Sequence, residues 1–426
     1  MAPAEEERVS QAIHAMDGSH VHGVTQVAGN LFQTFLAAPP PLRDRIRIQE
    51  FRNLITERVR SFVGREFVRR AVNDLLSSPT FPSGYVLIRG EPGIGKTALM
   101  CALANEGGYL HHFNIAPQNI RSSRAFLENI SAQLVVRYGL DHPTLPPSAG
   151  EDSAFLSQLL AEAAAVAEKP IVILVDALDE AENDAREANR LFLPPTLPEG
   201  VYFIVSSREQ VDYRLFVDRR NDIYLRDNDP ENLADIRLFV LSFLKQYEET
   251  MRERVASWKV TTDGFVDELV DRSQGNFMYL VHVLADIRDG RLIPDSIESI
   301  KKLPRGLQAY YQRNWRTMRS QDQSRFEQVF EPVLRLLATV REPVTLDYLK
   351  DLTGLDPARI REVIASWRPF LNETEDGDDL LYRVYHLSFQ DFLAVEGVGL
   401  KPYHERIAMR ALEKIPGFLD GSLSST

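Results

Sequence analysis

Between an apolar run, YVLIR at 85–89, and a helix-forming run, ALMCALAN at 98–105, stands the octapeptide GEPGIGKT, residues 90–97. It matches G-x-x-x-x-G-K-[ST] in full, with the strand before it and the helix after it. Glycine lets such a loop curl until its backbone N–H groups converge, and the helix N-terminus adds a field that favours negative charge. Gly90, Glu91, Pro92, Gly93, Ile94, Gly95, Lys96 and Thr97, with Ala98 opening the helix, therefore read as a phosphate cradle. Lys96 can reach the β- and γ-phosphates of a nucleotide, and the Thr97 hydroxyl is placed to bind Mg²⁺.

A phosphate loop of this kind needs an acid for its metal. IVILVDALDEA, 171–181, supplies one: five apolar residues form a buried strand and Asp176 emerges at its C-terminal end, the edge at which open α/β sheets hold their ligands. Asp176 thus joins Thr97 as an expected metal ligand. Asp179 and Glu180 follow within reach of an attacking water, and the sequence aims neither. A third strand, VYFIV, ends in Ser206, Ser207 and Arg208, where a cation could sense the γ-phosphate charge.

The remaining runs place these segments in a fold. YLHHFNI (109–115) and DIYL (222–225) are further short strands, and helical stretches such as SAFLSQLLAEAAAVAEK (153–169) separate them. Buried strands alternating with helices predict a parallel sheet covered on both faces. The expected architecture is an α/β P-loop core over 61–226, a small helical domain over 227–305 opened by Asp229 as N-cap and Pro230 at the first helical position, and a C-terminal winged-helix domain over 306–426. In the last, helices precede FLNETEDGDDLLYRVYHLSF, whose two strand-like runs flank Asp376-Gly377. Residues 1–60 read as an adaptor or linker: a short helix VSQAIHAM, an extended stretch GSHVHGVTQVAGN, a break at APPP (38–41), then a connecting helix, RDRIRIQEFRNLITERVRSF, that stays out of the core.

Composition narrows the function. Lys plus Arg number 49 against 61 Asp plus Glu, a formal charge of −12, which disfavours a nucleic-acid or anionic-membrane coat. The single cysteine, Cys101, rules out an intrachain disulfide and reads as a small core residue. The acidic start MAPAEEERVS has no signal-peptide core, and apolar runs stop far short of the ~20 residues of a membrane helix; the expectation is a cytoplasmic protein without a membrane partner. His111 and His112 point to opposite faces of a strand and cannot chelate together. ETEDGDD at 373–379 lacks the spacing of a calcium loop and reads as a solvated hairpin tip.

VGRE at 63–66, the phosphate loop, DALDEA at 176–181 and SSRE at 206–209 together resemble the STAND NTPases, and within them the NACHT group, in which a small residue such as Ala177 commonly separates the first acid from the DE pair. SQGNFMYLVHVL (273–284), LPRGLQAYY (303–311) and HLSFQDFL (386–393) are similar to the helical and winged-helix motifs of that group, so the resemblance covers about 61–415. It implies a slow ATPase acting as a switch in defence or cell-death signalling: ADP with the closed form, ATP with Mg²⁺ opening it for self-association. It also implies that Phe62 and Val63 border the adenine, that Arg208 senses the γ-phosphate, and that His386 contacts the β-phosphate. Where many relatives place a proline against the adenine, this chain has GNF at 275–277. The chain ends in GSLSST just past the last motif, which leaves a fragment of a longer switch, or a short member that borrows its sensor and effector from partner proteins.

Two other readings compete. A winged helix can read DNA, but residues 341–400 hold six Lys/Arg against twelve Asp/Glu, and this surrounds the candidate recognition helix PARIREVIASWR with repulsion. A protein-remodelling ATPase would turn over fast. The phosphate loop itself gives a direct test. Lys96→Ala leaves the phosphate charge poorly compensated, so the thermal stabilisation given by ATP-Mg²⁺, about 2.7 kcal/mol at a hundredfold excess over Kd, should disappear; an unchanged melting shift in the variant would exclude this loop as the nucleotide site.

Overall fold

The computed structural model describes residues 25–27, 30–32, 41–115, 120–182, 189–209, 214–258, 260–292, 301–340, 342–376, 379–396 and 399–413. The expected helix VSQAIHAM, most of the break at 38–41 and Gly377 of the expected turn lie outside them. In the extended stretch, β1 (Thr25–Val27) pairs antiparallel with β2 (Asn30–Phe32).

Five parallel strands form the central sheet, in the order β4-β5-β6-β3-β7: β3 (Gly84–Gly90), β4 (Leu110–Phe113), β5 (Ile171–Asp176), β6 (Val201–Ser207) and β7 (Arg220–Leu225). Side chains alternate along each strand, so both faces need apolar cover. Leu87, Ile173, Val175, Phe203 and Val205 pack on one side with α4 (Ser123–Tyr138) and α5 (Ala154–Val166). Val86, Ile88, Leu174 and Ile204 pack on the other with α2 (Glu66–Leu76) and α3 (Lys96–Gly107). Because β6 separates β3 from β5, Asp176 does not adjoin the phosphate-loop strand; the end of β6 comes between them.

One expectation for the N-terminal region is corrected. Helix α1 (Ile48–Arg60) belongs to the core. Phe51 is fully buried, edge-on to Phe113 and His112 and tilted against His111. The helix is charged on one face and apolar on the other, and the apolar face closes the sheet beside α3.

After β7 the chain turns helical. Pro230 is the first residue of α6 (Pro230–Gln246), although Asp229 makes no side-chain capping hydrogen bond. Helices α7 (Glu248–Ser257), α8 (Thr262–Ser273), α9 (Phe277–Arg288) and α10 (Gly306–Gln321) follow. Then come α11 (Glu331–Thr339), β8 (Val344–Thr345), α12 (Leu346–Thr353), α13 (Pro357–Ser366), β9 (Leu371–Asp376), β10 (Asp379–Val384), α14 (Leu387–Val395) and α15 (Lys401–Glu413). β10 pairs antiparallel with both β8 and β9. A single apolar core runs from Ile236 to Leu393, crossing the boundary read at 305/306. No helix among the described residues is long and apolar enough to cross a membrane.

The fully buried Arg335 of α11 holds this core to the end of α14. Its guanidinium donates to the carbonyls of Leu393 (2.8 Å) and Glu396 (2.7 Å), pairs with Glu331 (2.7 Å) and lies over the Trp315 ring. Helix-end carbonyls lack partners within the helix, so Arg335→Met strands both of them and the Glu331 charge. The expected loss is about 3–5 kcal/mol, read as a lower urea midpoint of the Trp fluorescence transition.

Candidate nucleotide site

A loop whose N–H groups converge on an anion turns its carbonyls outward, and each buried carbonyl needs a donor. Every carbonyl from Gly90 to Gly95 has one. Lys96 Nζ donates to Gly90 (2.6 Å) and Glu91 (3.1 Å). Asn276 Nδ2 donates to Pro92 (2.9 Å), and the Met278 amide to Gly93 (3.2 Å). Arg65 Nη2 donates to Ile94, and the Leu99 amide takes Gly95 into the first turn of α3. Two of these donors start α9, where Asn276 is also the N-cap, its side chain accepting from the Tyr279 amide (3.1 Å).

Arg65 is itself a buried strut. Its backbone sits in the left-handed region (φ 66°), its amide donates to Asp235 of α6 (2.9 Å), and its guanidinium lies 3.8 Å from the same carboxylate and over the Phe277 ring. Burial lowers the Arg65 pKa to about 10 and raises that of Asp235. VGRE thus ties the core to the helical region.

At the sheet edge, Asp176 is buried. Its carboxylate accepts from the Ser206 hydroxyl (2.5 Å) and from the Thr97 side chain. Burial raises its pKa against these hydrogen bonds and the Lys96 charge, while burial lowers that of Lys96. An oxygen-only set of one carboxylate and two hydroxyls fits Mg²⁺, which takes few protein ligands and completes its shell with phosphate and water. Among the described residues no group of three or more His, Cys, Asp or Glu could hold a metal ion.

The two acids that the sequence left equivalent separate here. Asp179 is held by Arg208, whose Nε lies 3.1 Å from Oδ2 and whose amide donates to Oδ1 (3.2 Å). Arg208 also reaches Asp391 on α14 at 2.7 Å, so one guanidinium joins the β6 end to the C-terminal region. Glu180 borders both the cavity over the phosphate loop and the wider cleft beneath β9 and β10.

One cavity brings together Phe62, Val63, Pro92, Gly93, Gly95, Lys96, Thr97, Ala98, Asp179, Glu180, Arg208 and His386. Gly90, Glu91 and Ile94 lie outside its lining and act through their carbonyls; Asp176 borders the neighbouring cleft. Phe239, Phe277, Met278 and Val281 add an apolar wall from α6 and α9, and Arg58 of α1 adds a cation. Phe277, the aromatic of GNF at 275–277, therefore faces the cavity.

His386 is placed differently from the strand expected. β10 stops at Val384, and His386 is the N-cap of α14, so residues 387–389 of the strand-like run are helical. Its Nδ1 accepts from the Ser388 amide (3.1 Å). Burial, reinforced by Arg58, Arg208 and Lys96, lowers its pKa to about 3, leaving a neutral imidazole.

Comparison with known proteins fits this geometry. The family described as "AAA ATPase domain" matches residues 61–204. Human NACHT domain- and WD repeat-containing protein 1 is 30% identical over 167 residues, which cover 36% of this chain and 10% of that protein. Residues 61–204 carry a P-loop ATPase domain similar to these. Among solved structures, a STAND protein with a tetratricopeptide repeat sensor from Pyrococcus horikoshii aligns over 85% of this chain and 48% of its own, at 14% identity and a TM-score of 0.42. The Thermotoga maritima RuvB Holliday junction branch migration motor aligns over 78% and 95%, at 15% and 0.32.

In this NTPase, sequence reasoning missed Arg58, Arg65, Asn276, Phe239 and Val281 as site residues. VGRE and GNF drew attention to two of these segments but not to what they touch; nothing marked Arg58. The seam between phosphate loop and α9 also explains Gly93. Its φ is +85°, and a Cβ there would stand 2.6 Å from Asn276 Oδ1 and 3.0 Å from Met278 Cβ. Gly93→Ala should therefore part the seam, weakening nucleotide binding at least tenfold and raising hydrogen exchange at the start of α9, while the β5 and β6 amides keep their protection.

Proposed function

We propose that this NTPase is a nucleotide-operated switch, binding ATP or ADP with Mg²⁺ and hydrolysing ATP slowly to control opening and self-association. The observation that carries this reading is His386, which shares a cavity with Lys96, Thr97 and Arg208 although it follows the phosphate loop by most of the chain. A groove needed only for hydrolysis would not require a lid from the C-terminal region. Helices α12 and α13, followed by the β9–β10 hairpin, are read as a winged helix folded over the site.

The residues divide the work. The amides of 93–97 and Lys96 bind the phosphates, and Phe62, Val63 and Phe277 border the base. Thr97 and Asp176 would hold Mg²⁺, which supplies Lewis-acid stabilisation of phosphoryl charge. Glu180, which borders both the cavity and the adjoining cleft, is assigned to orient or deprotonate the attacking water, and Asp179 to hold Arg208. A γ-phosphate competes with Asp391 for the Arg208 guanidinium, so ATP weakens a contact that ties α14 to β6, and ADP leaves it intact. In the closed state His386 donates to the β-phosphate. The role in defence or cell-death signalling, and the sensor and effector modules it would need, belong to this proposal.

Nucleotide released from purified protein, identified by mass spectrometry, should be ADP. A neutral donor on a charged phosphate contributes about 1.5–3 kcal/mol, equivalent to a tenfold to more than hundredfold shift of a closed/open equilibrium. His386→Ala should speed ADP release by that factor and raise the fraction self-associated in ATP, measured by stopped-flow chase and mass photometry. A folded variant releasing ADP at the wild-type rate would remove the lid from the mechanism.

A further inference from the structure

His386 is held through a chain of hydroxyls that the reading of the site does not use. The Ser388 hydroxyl stands 2.7 Å from His386 Nδ1, and the Tyr311 hydroxyl stands 2.9 Å from the Ser388 oxygen. The directions follow from chemistry. The Ser388 amide can only donate, so Nδ1 presents its lone pair to it. The Ser388 O–H then also turns towards Nδ1, and its oxygen is left to accept from Tyr311. Tyr311 is buried among Phe370, Phe389 and Phe392, in a setting that keeps its phenol protonated and its ring fixed. His386 Nε2 makes no hydrogen bond among the described residues, while the imidazole borders the cavity that holds Lys96.

We propose that Ser388 and Tyr311 are positioning residues for His386, their hydroxyls forming a relay that fixes Nδ1 as acceptor and leaves the single ring proton on Nε2, for the phosphate. This deepens the assignment of His386 to the β-phosphate and rests on it for its functional consequence. A doubly protonated ring would turn an N–H against the Ser388 amide, so the relay also disfavours the cation. Neutral imidazole has two tautomers, and only the one with the proton on Nε2 offers a donor to the cavity while Nδ1 caps α14. Tyr311 lies on α10, in the LPRGLQAYY segment, which places the last link of the relay on the helix that leads into the C-terminal region.

Two measurements test this. The first is the ¹⁵N spectrum of histidine-labelled protein, with the His386 signals identified by their loss in His386→Ala. Wild type should show a protonated Nε2 and an accepting Nδ1; Ser388→Ala should show a tautomer mixture, and Ser388→Thr, which keeps the hydroxyl, the wild-type pattern. An Nδ1–H tautomer in wild type, or an unaltered spectrum in Ser388→Ala, overturns the relay whatever His386 does to nucleotide. The second is ADP release. Ser388→Ala should release ADP about fivefold faster, the loss of one neutral hydrogen bond, and Tyr311→Phe about twofold faster. In a His386→Ala background neither change should add anything; full additivity would make both residues ordinary packing and overturn the proposal. If His386→Ala alone leaves ADP release unchanged, the assignment of His386 to the phosphate fails, and the spectra still decide the relay.

Discussion

The outward-facing carbonyls of residues 90–95 are the constraint on which the site depends. Curling a backbone so that its amides meet an anion exposes the other side of every peptide, and a buried carbonyl without a donor costs about 1–3 kcal/mol. Here the donors come from Lys96 within the loop, from Arg65 before the sheet, and from Asn276 and Met278 beyond it. The loop therefore cannot hold its shape alone. Satisfying it brings the segment before α2 and the start of α9 to one place, and the cavity over the loop lies between them.

The same economy governs the charges. Lys96, Arg208 and Arg58 stand close to one cavity, and each is held by protein groups: loop carbonyls for Lys96, Asp179 and Asp391 for Arg208, and the Tyr385 hydroxyl at 2.6 Å for Arg58. A buried cation needs a partner. Two of these partners, Asp391 and Tyr385, belong to the C-terminal region, so the electrostatics that would receive a phosphate also fasten β10 and α14 over the core. Whatever changes the charge at the cavity acts on that attachment, and the proposed coupling of nucleotide to conformation rests on this.

Much of this was legible in the residues because it is local. The strands show as buried apolar runs, and the phosphate loop is an unbroken octapeptide between a strand and a helix. Asp176 falls at a strand end. Elements failed to read correctly where a neighbour distant in sequence decides. Phe51 lies in a charged helix whose apolar face shows its purpose only once the sheet edge is beside it. His386 extends a run that looks like a strand, yet the chain turns there into α14, because a histidine acceptor can cap a helix although it is not among the residues usually found there.

By itself the sequence determined the phosphate loop, the parallel sheet and the acid at the end of β5, because backbone geometry and burial period act over a few residues. Tertiary structure alone decided that Asp179 is held by Arg208, which follows it by nearly thirty positions and lies 3.1 Å from its carboxylate. It also decided that Arg58, Phe277 and His386 share one cavity. No propensity encodes such a meeting; it follows from how the α9 cap and the β10–α14 turn pack over the core, through contacts that span most of the chain.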